Sequence, residues 1–207
     1  MRVIVLASRK GGAGKTTLAS HLAVEAERAG AGPVAMIDAD DMQGLARWWD
    51  ARKADAPALV RLAGTLAETA DGLAGRGFKL LFVDTPPALN PAVASLVTAA
   101  DLVLVPVQPS PDDLRAIGST VELVNRAKRP MVFIVNRTKP RARLTGEAAI
   151  ALSQHGTVAP VMVADRTDYA AAKTDGRTAP ELNPAGPAAE EMTALWSYVA
   201  SRMEVAP

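Results

Sequence analysis

The 207-residue sequence has no cysteine, two histidines and few aromatic residues: three Trp, two Tyr and three Phe. Without cysteine there are no disulfides, thiolate nucleophiles, Cys-ligated zinc or Cys-held iron–sulfur clusters. His21 and His155 stand apart in the chain, so neither a nucleophilic triad nor a histidine metal site is supported. No apolar run approaches the ~20 residues that span a bilayer. The N-terminus enters an apolar run at once, so no signal peptide is expected. Charge of either sign is not in excess, since 23 basic residues meet 22 acidic ones. A hydrophobic content of 49% is that of a globular chain, and the length suits a single domain spanning 1–207. There is no internal repeat and no low-complexity tract.

What the chain does have is one dense cluster of chemistry near its start. Val3-Ile4-Val5-Leu6 reads as a buried strand, and Leu18, Leu22, Ala26 and Ala29 mark one face of a helix. Between them lies Ser8-Arg-Lys-Gly-Gly-Ala-Gly-Lys-Thr-Thr17. Strand, glycine-rich turn and helix form the setting of a phosphate-binding loop. Gly11, Gly12 and Gly14, with Ala13 among them, let backbone N–H groups approach an anion, and the helix N-terminus adds donors and positive dipole charge. Lys15 would reach the β- and γ-phosphates and the Thr16 hydroxyl would ligate Mg²⁺. The strict pattern G-x-x-x-x-G-K-[ST] fails at its first position, where Arg9 stands. In compensation a second lysine, Lys10, precedes the glycine pair, the pattern of a deviant phosphate loop.

Further along, acidic residues end predicted strands. Val34-Ala-Met-Ile37 runs into Asp38-Ala-Asp40-Asp41, which places carboxylates on the sheet edge of the phosphate loop. Asp38 and Asp40 point the same way along an extended chain, and Asp40 or Asp41 also reads as the N-cap of a helix holding Leu45, Trp48 and Trp49. Lys79-Leu-Leu-Phe-Val-Asp84-Thr-Pro-Pro87 has the Walker B form, an apolar strand ending in a carboxylate that holds Mg²⁺. Strands are also expected over 58–62, 101–107, 130–135 and 161–163, and a helix over 65–75. Ser110 and Pro111 open a helix with Leu114, Ile117, Val121 and Val124 on its buried stripe. Residues 181–187 read as a Pro/Gly-rich linker. A final helix presents Met192, Leu195, Trp196, Val199 and Met203, with a polar face too acidic for a membrane surface. The β–α alternation predicts an α/β fold, a doubly wound and mostly parallel sheet with helices on both faces.

From Leu123 to Gly146 there are seven basic residues and no acid: Arg126, Lys128, Arg129, Arg137, Lys139, Arg141 and Arg143. Because the chain totals +1, the rest carries −6. Such a bias fits either a solvated basic face or a contact with a nucleic-acid backbone.

Taken in order, Lys10–Thr17, Asp38-Ala-Asp40, Phe82-Val-Asp84-Thr-Pro-Pro87, Leu104–Pro111 and Val135-Asn-Arg137 resemble the ParA family of partition ATPases, in particular its short members that lack an N-terminal DNA-binding domain. The resemblance implies an ATP/ADP-binding, Mg²⁺-dependent ATPase with ATP sandwiched in a homodimer. It implies that Lys10 crosses to the partner's phosphates, Lys15 and Thr17 hold the subunit's own nucleotide, and Asp40 orients the attacking water. Thr16, Asp38 and Asp84 would serve Mg²⁺, and Asn136, with Arg137 beside it, would meet adenine. It further implies a cytoplasmic, nucleoid-associated protein that binds DNA non-specifically and answers to a cargo adaptor of the ParB type. Arg166, Lys173 and Arg177 then join the basic run as DNA-binding candidates. No stable membrane association is implied; a MinD-like membrane positioner and a carboxylate-activating ligase of the dethiobiotin synthetase type are the competing readings. In place of the family's usual Pro-Gln, Asp40 is followed by Asp41-Met42-Gln43.

Overall fold

The computed structural model describes residues 1–139 and 141–205. Its spine is a sheet of eight parallel strands: β1 (Arg2–Leu6), β2 (Val34–Asp38), β3 (Ala58–Leu59), β4 (Leu80–Asp84), β5 (Leu102–Val107), β6 (Met131–Thr138), β7 (Thr157–Val158) and β8 (Val163–Ala164). The order is β3-β2-β4-β1-β5-β6-β7, with β8 pairing the far end of β6 beyond a register shift. β1 is therefore central, flanked by β4 and β5, and the chain leaves it directly into the phosphate loop. The β2–β4 register sets Asp38 beside Asp84, and the β1–β4 register sets Leu6 beside Asp84. Parallel pairing alone thus brings the ends of β1, β2 and β4 to one edge.

Alternation along each strand sorts side chains into two cores. Ile4, Leu6, Met36, Phe82 and Leu104 face α1 (Lys15–Arg28), α2 (Gly44–Asp50), α7 (Thr167–Ala172), α8 (Ala179–Leu182) and α9 (Pro187–Arg202). Val3, Val5, Val83, Val105 and Val135 face α3 (Leu66–Gly75), α4 (Pro91–Thr98), α5 (Pro111–Ala127) and α6 (Arg143–Ser153). The strands are covered on both faces, which is why they read as unbroken apolar runs. In α9, Met192, Leu195, Trp196 and Val199 are buried against the first core, with the Trp196 and Phe82 rings 6.3 Å apart. Its apolar face is taken by the protein itself. No helix among the described residues is long and apolar enough to cross a membrane.

Several boundaries differ from the sequence expectation. α4, α6 and β7 were not anticipated, although Asn90 at the N-cap and Pro91 at the first helical position are ordinary start signals for α4. The strand expected over 58–62 is only Ala58–Leu59, and the one expected over 161–163 begins at Val163. The segment read as a linker from Glu181 starts inside α8, where Thr178 and Glu181 form a capping box. Neither Asp40 nor Asp41 caps α2. The N-cap position is Gln43, in left-handed geometry and without a side-chain cap, and it is Asp38 that accepts the Ala46 N–H inside the first turn.

The closing segment is fastened from a long way off in sequence. Arg52, at the end of α2, donates to both carboxylate oxygens of Glu181 at 2.8 and 2.6 Å and to the Gly176 carbonyl at 2.9 Å. His21 of α1 is fully buried. Its Nδ1 donates to the Thr17 carbonyl at 2.8 Å, so Nε2 is free to accept the Ala179 N–H at 3.0 Å. That pairing needs the neutral ring, and burial pushes the His21 pKa down from 6.5 to about 4. A group with a depressed folded pKa contributes stability above its unfolded value and loses it as pH falls toward the folded one. The protein should therefore lose about 3 kcal/mol through this group between pH 6.5 and 4. Thermal melts across that window should show a shallower fall for His21→Asn than for the unchanged chain.

Candidate functional site

The loop after β1 closes into α1 through Gly14, whose φ of 103° lies in the left-handed region that favours glycine. No side chain caps α1. Its first-turn N–H groups therefore face the loop's concave side, which is an anion site by geometry and by dipole. Two amides from neighbouring strand ends hold the loop in this shape. Gln108, just past β5, donates to the Gly12 carbonyl at 2.8 Å, and Asn136, at the end of β6, donates to the Ala13 carbonyl at 2.7 Å. With those carbonyls tied outward, the glycine N–H groups are left for a ligand.

The two loop lysines occupy different environments. Lys15 is buried, and its Nζ donates to the Ser8 carbonyl at 3.1 Å. Burial lowers its pKa, opposed by the nearby carboxylates of Asp84 and Asp40. Lys10 is exposed and lies near the ends of β5 and α5. One ammonium is thus enclosed by the loop and the other is open to solvent.

Facing Lys15 is a carboxylate group built by β2 and β4. Thr16 Oγ1 donates to Asp84 Oδ2 at 2.5 Å. Asp84 has no solvent exposure, and its Oδ1 is buried without a hydrogen-bond partner among the described residues. Burial pushes the Asp84 pKa up to about 7; the Thr16 hydrogen bond and Lys15 oppose this, while Asp38 and Asp40 reinforce it. A buried carboxylate with one bare oxygen beside a threonine hydroxyl is an oxygen donor set suited to a hard divalent cation. Asp38 is already engaged: Oδ1 accepts the Asp40 N–H at 3.0 Å and Oδ2 the Ala46 N–H at 2.9 Å. It holds the segment that carries Asp40, with one acceptor position left on each oxygen. Asp40 Oδ1 accepts the Met42 N–H at 3.0 Å, which folds the 40–43 turn on itself.

The other expected residues have further contacts. Both ends of the Asn136 amide are committed, the nitrogen to Ala13 and the oxygen to the Arg137 N–H at 2.9 Å. It shapes the loop, and with one donor and one lone pair to spare it also lines the cleft on its other side. A cleft of about 230 Å³ opens beside it, lined by Gly14, Thr17, Arg137, Tyr169 and Lys173. Lys173 therefore borders the phosphate loop, and burial lowers its pKa although the field of Asp84 raises it. The basic run is not one patch. β6 carries the chain across the sheet, so Arg126, Lys128 and Arg129 lie at the edge opposite the loop and Lys139, Arg141 and Arg143 at the loop's own edge. Several of these cations are paired: Arg137 with Asp165 at 3.1 Å, Arg143 with Glu147 at 3.3 Å, Arg166 with Glu191 at 2.7 Å and Arg177 with Asp175 at 2.9 Å. Gln108 had no role in the sequence reading. Its position directly after an apolar strand, on the edge already holding Asp38 and Asp84, was the signal available.

A glycine loop on the central strand of a parallel sheet, one buried lysine inside it and a threonine–aspartate pair opposite define a phosphate-loop nucleotide-binding domain. Residues 4–179 match the CobQ/CobB/MinD/ParA nucleotide-binding domain, and the chain belongs to that family, as a nucleotide-binding ATPase of the ParA/MinD type. It is 29% identical over 207 residues to the maintenance of carboxysome distribution protein A of Halothiobacillus neapolitanus, covering 95% of each chain. Its fold is that of the MinD cell division protein of Aquifex aeolicus, with a TM-score of 0.81 at 19% identity over 97% of this chain and 98% of that one. An ATP complex of McdA from Cyanothece superposes with a TM-score of 0.76 at 18% identity, covering 99% and 97%.

Proposed function

We propose that the protein is an ATP-driven switch that dimerises on ATP, binds DNA non-specifically and positions a cargo through a partner adaptor. One observation carries this reading: the loop holds a buried ammonium, Lys15, and an exposed one, Lys10. A single-subunit site has no use for the exposed lysine. Two subunits facing each other across their loops give it one, since Lys10 of each then reaches the other's triphosphate.

Within a subunit, Lys15 with the loop N–H groups, Thr17 included, binds and orients the phosphates. Thr16 and Asp84 hold Mg²⁺, with Asp38 fixing the segment behind them. That ion supplies charge neutralisation of the phosphate oxygens. Asp40, free on one oxygen, orients the attacking water. Two lysines on one triphosphate offset charge that develops as the bond to the terminal phosphoryl group breaks. ATP is the nucleotide of the similar McdA complex, and carboxysome distribution is the role named for the relative of similar length, which supports a positioning task. Asn136 and Arg137 border the cleft where the base would lie.

Both competing readings lose support. The apolar face of α9 that a membrane positioner of this kind would offer is docked on the sheet. A ligase would need a cation-lined pocket for its acid, whereas the cleft of about 870 Å³ beside Asp40 is bordered by Asp38, Asp41 and Asp50 against a lone Arg61.

For DNA, the exposed candidates with no carboxylate within 4.0 Å among the described residues are Arg126, Lys128, Arg129, Lys139, Arg141 and Lys173. Lys139 and Arg141 share the loop's edge and are the pair most directly placed to couple DNA to nucleotide. Their joint replacement by alanine should weaken ATP-dependent binding equally on unrelated duplexes and reduce the salt slope by about 2. Gel shifts over a salt series measure this; equal DNA affinity with ATP, ADP and no nucleotide would remove the DNA-switch reading.

A further inference from the structure

Three cations line the cleft beside the phosphate loop, and the protein answers two of them. Arg137 is paired with Asp165 at 3.1 Å, and Arg166 with Glu191 at 2.7 Å. Lys173 has no carboxylate within 4.0 Å among the described residues. It shares the cleft with Gly14, Thr17 and Leu18, the cap and first turn of α1. Its side chain is exposed, yet enough protein surrounds the ammonium for burial to lower its pKa. The field of Asp84 reaches this ammonium, and its own charge is felt at the His21 ring of α1.

The backbone that carries Lys173 is fastened by its neighbours. Tyr169, four residues earlier and on the same cleft, donates to Glu191 at 2.8 Å and meets the His21 ring with centroids 5.2 Å apart. A single 3₁₀ turn, Lys173–Asp175, follows and ends at Gly176. The Gly176 carbonyl accepts from Arg52 at 2.9 Å, and a Cβ there would overlap the Arg52 backbone. Trp48 Nε1 donates to the Arg177 carbonyl at 3.0 Å. A partly desolvated ammonium held without a counter-charge is costly until an anion joins it.

We propose that Lys173 is a nucleotide lysine whose ammonium pairs with the α-phosphate end of the subunit's own ATP or ADP. The α end follows from the cleft, which reaches Gly14 and Thr17 but not Lys15, Thr16 or Asp84. Charge alone set Lys173 among the DNA candidates, and an ammonium neutralised by phosphate has little left to offer a duplex. The inference rests on the nucleotide site, and on neither dimerisation nor DNA binding.

Titration of the full chain with fluorescent ATP and ADP analogues tests it in the unchanged protein, Lys173→Ala and Lys173→Arg. Loss of one charge-assisted hydrogen bond should weaken both nucleotides alike in Lys173→Ala, by roughly tenfold. Lys173→Arg should keep most of the affinity. Arg177→Ala, which removes a cation already paired with Asp175, should bind both nucleotides as the unchanged protein does. Melting temperature without nucleotide should be the same in Lys173→Ala, which separates a ligand contact from a structural one. Unchanged nucleotide affinity in Lys173→Ala overturns the proposal, and a DNA salt slope smaller by about 1 alongside it would make Lys173 a DNA contact instead. A loss confined to ATP would overturn its placement at the α end. An unchanged protein that binds neither nucleotide would overturn the site and the inference together.

Discussion

Lys15→Ala should lower affinity for ATP and ADP by roughly 100-fold, because two charge-assisted hydrogen bonds to phosphate at about 1.5 kcal/mol each are lost together. Titration with a fluorescent nucleotide analogue measures this directly. The fold should tolerate the change. Lys15 is a buried cation whose pKa is lowered by burial, so its removal relieves a desolvation cost that offsets the lost Ser8 contact and the lost field on Asp84, which burial already pushes toward its neutral form. Melting temperature in the absence of nucleotide should thus stay close to that of the unchanged chain, which separates a lost ligand contact from a lost structure. A variant that still binds ATP with unchanged affinity would show that the loop holds its anion by backbone N–H groups alone. Lys10→Ala, by contrast, should spare ADP binding, because that side chain is exposed and its proposed contact is with the partner's triphosphate.

The second large effect is expected from Gly14→Ala, and it is structural as well as functional. A Cβ at this position would overlap Asn136 Nδ2. The residue also has a φ of 103°, which a side chain adopts only under strain. Asn136 cannot step aside freely, since it is buried and its amide holds the Ala13 carbonyl. Moving it releases one of the two tethers that shape the loop. The expected cost is about 3 kcal/mol of stability, from the strained backbone and the broken buried hydrogen bond together. Nucleotide binding should fall with it. Chemical denaturation and nucleotide titration on the same sample check both halves. If Gly14→Ala proved as stable as the unchanged chain, the close approach of β6 to the loop would not be a real constraint.

The parts of the fold legible in sequence were those set by local pattern. β1, β2, β4, β5 and β6 are apolar runs bounded by turn residues, and the acid at the end of β2 or β4 marks the functional edge because a parallel sheet collects its strand ends there. The cap of α5 by Ser110 and Pro111 was equally local. Side-chain bonds across long separations were not readable. Arg52 and Glu181 are 129 residues apart, His21 and Ala179 are 158 apart, and nothing in either segment names the other. The same limit explains Asn136. Its place at a strand end marked it as functional, but its commitment to Ala13 follows from how closely β6 approaches the loop. The basic run was legible as a charge bias interrupted by an apolar strand, and β6 puts its two halves at opposite edges of the sheet. Short elements such as β7 carry too few residues for any period to show.

What joins these observations is the division of labour between two lysines five residues apart, one enclosed by the loop and one open to solvent. Light scattering of the purified chain with Mg²⁺ and a non-hydrolysable ATP analogue tests that division most directly. The expected mass is that of two subunits, reverting to one with ADP or with Lys10→Ala. A single-subunit mass at saturating analogue would contradict it.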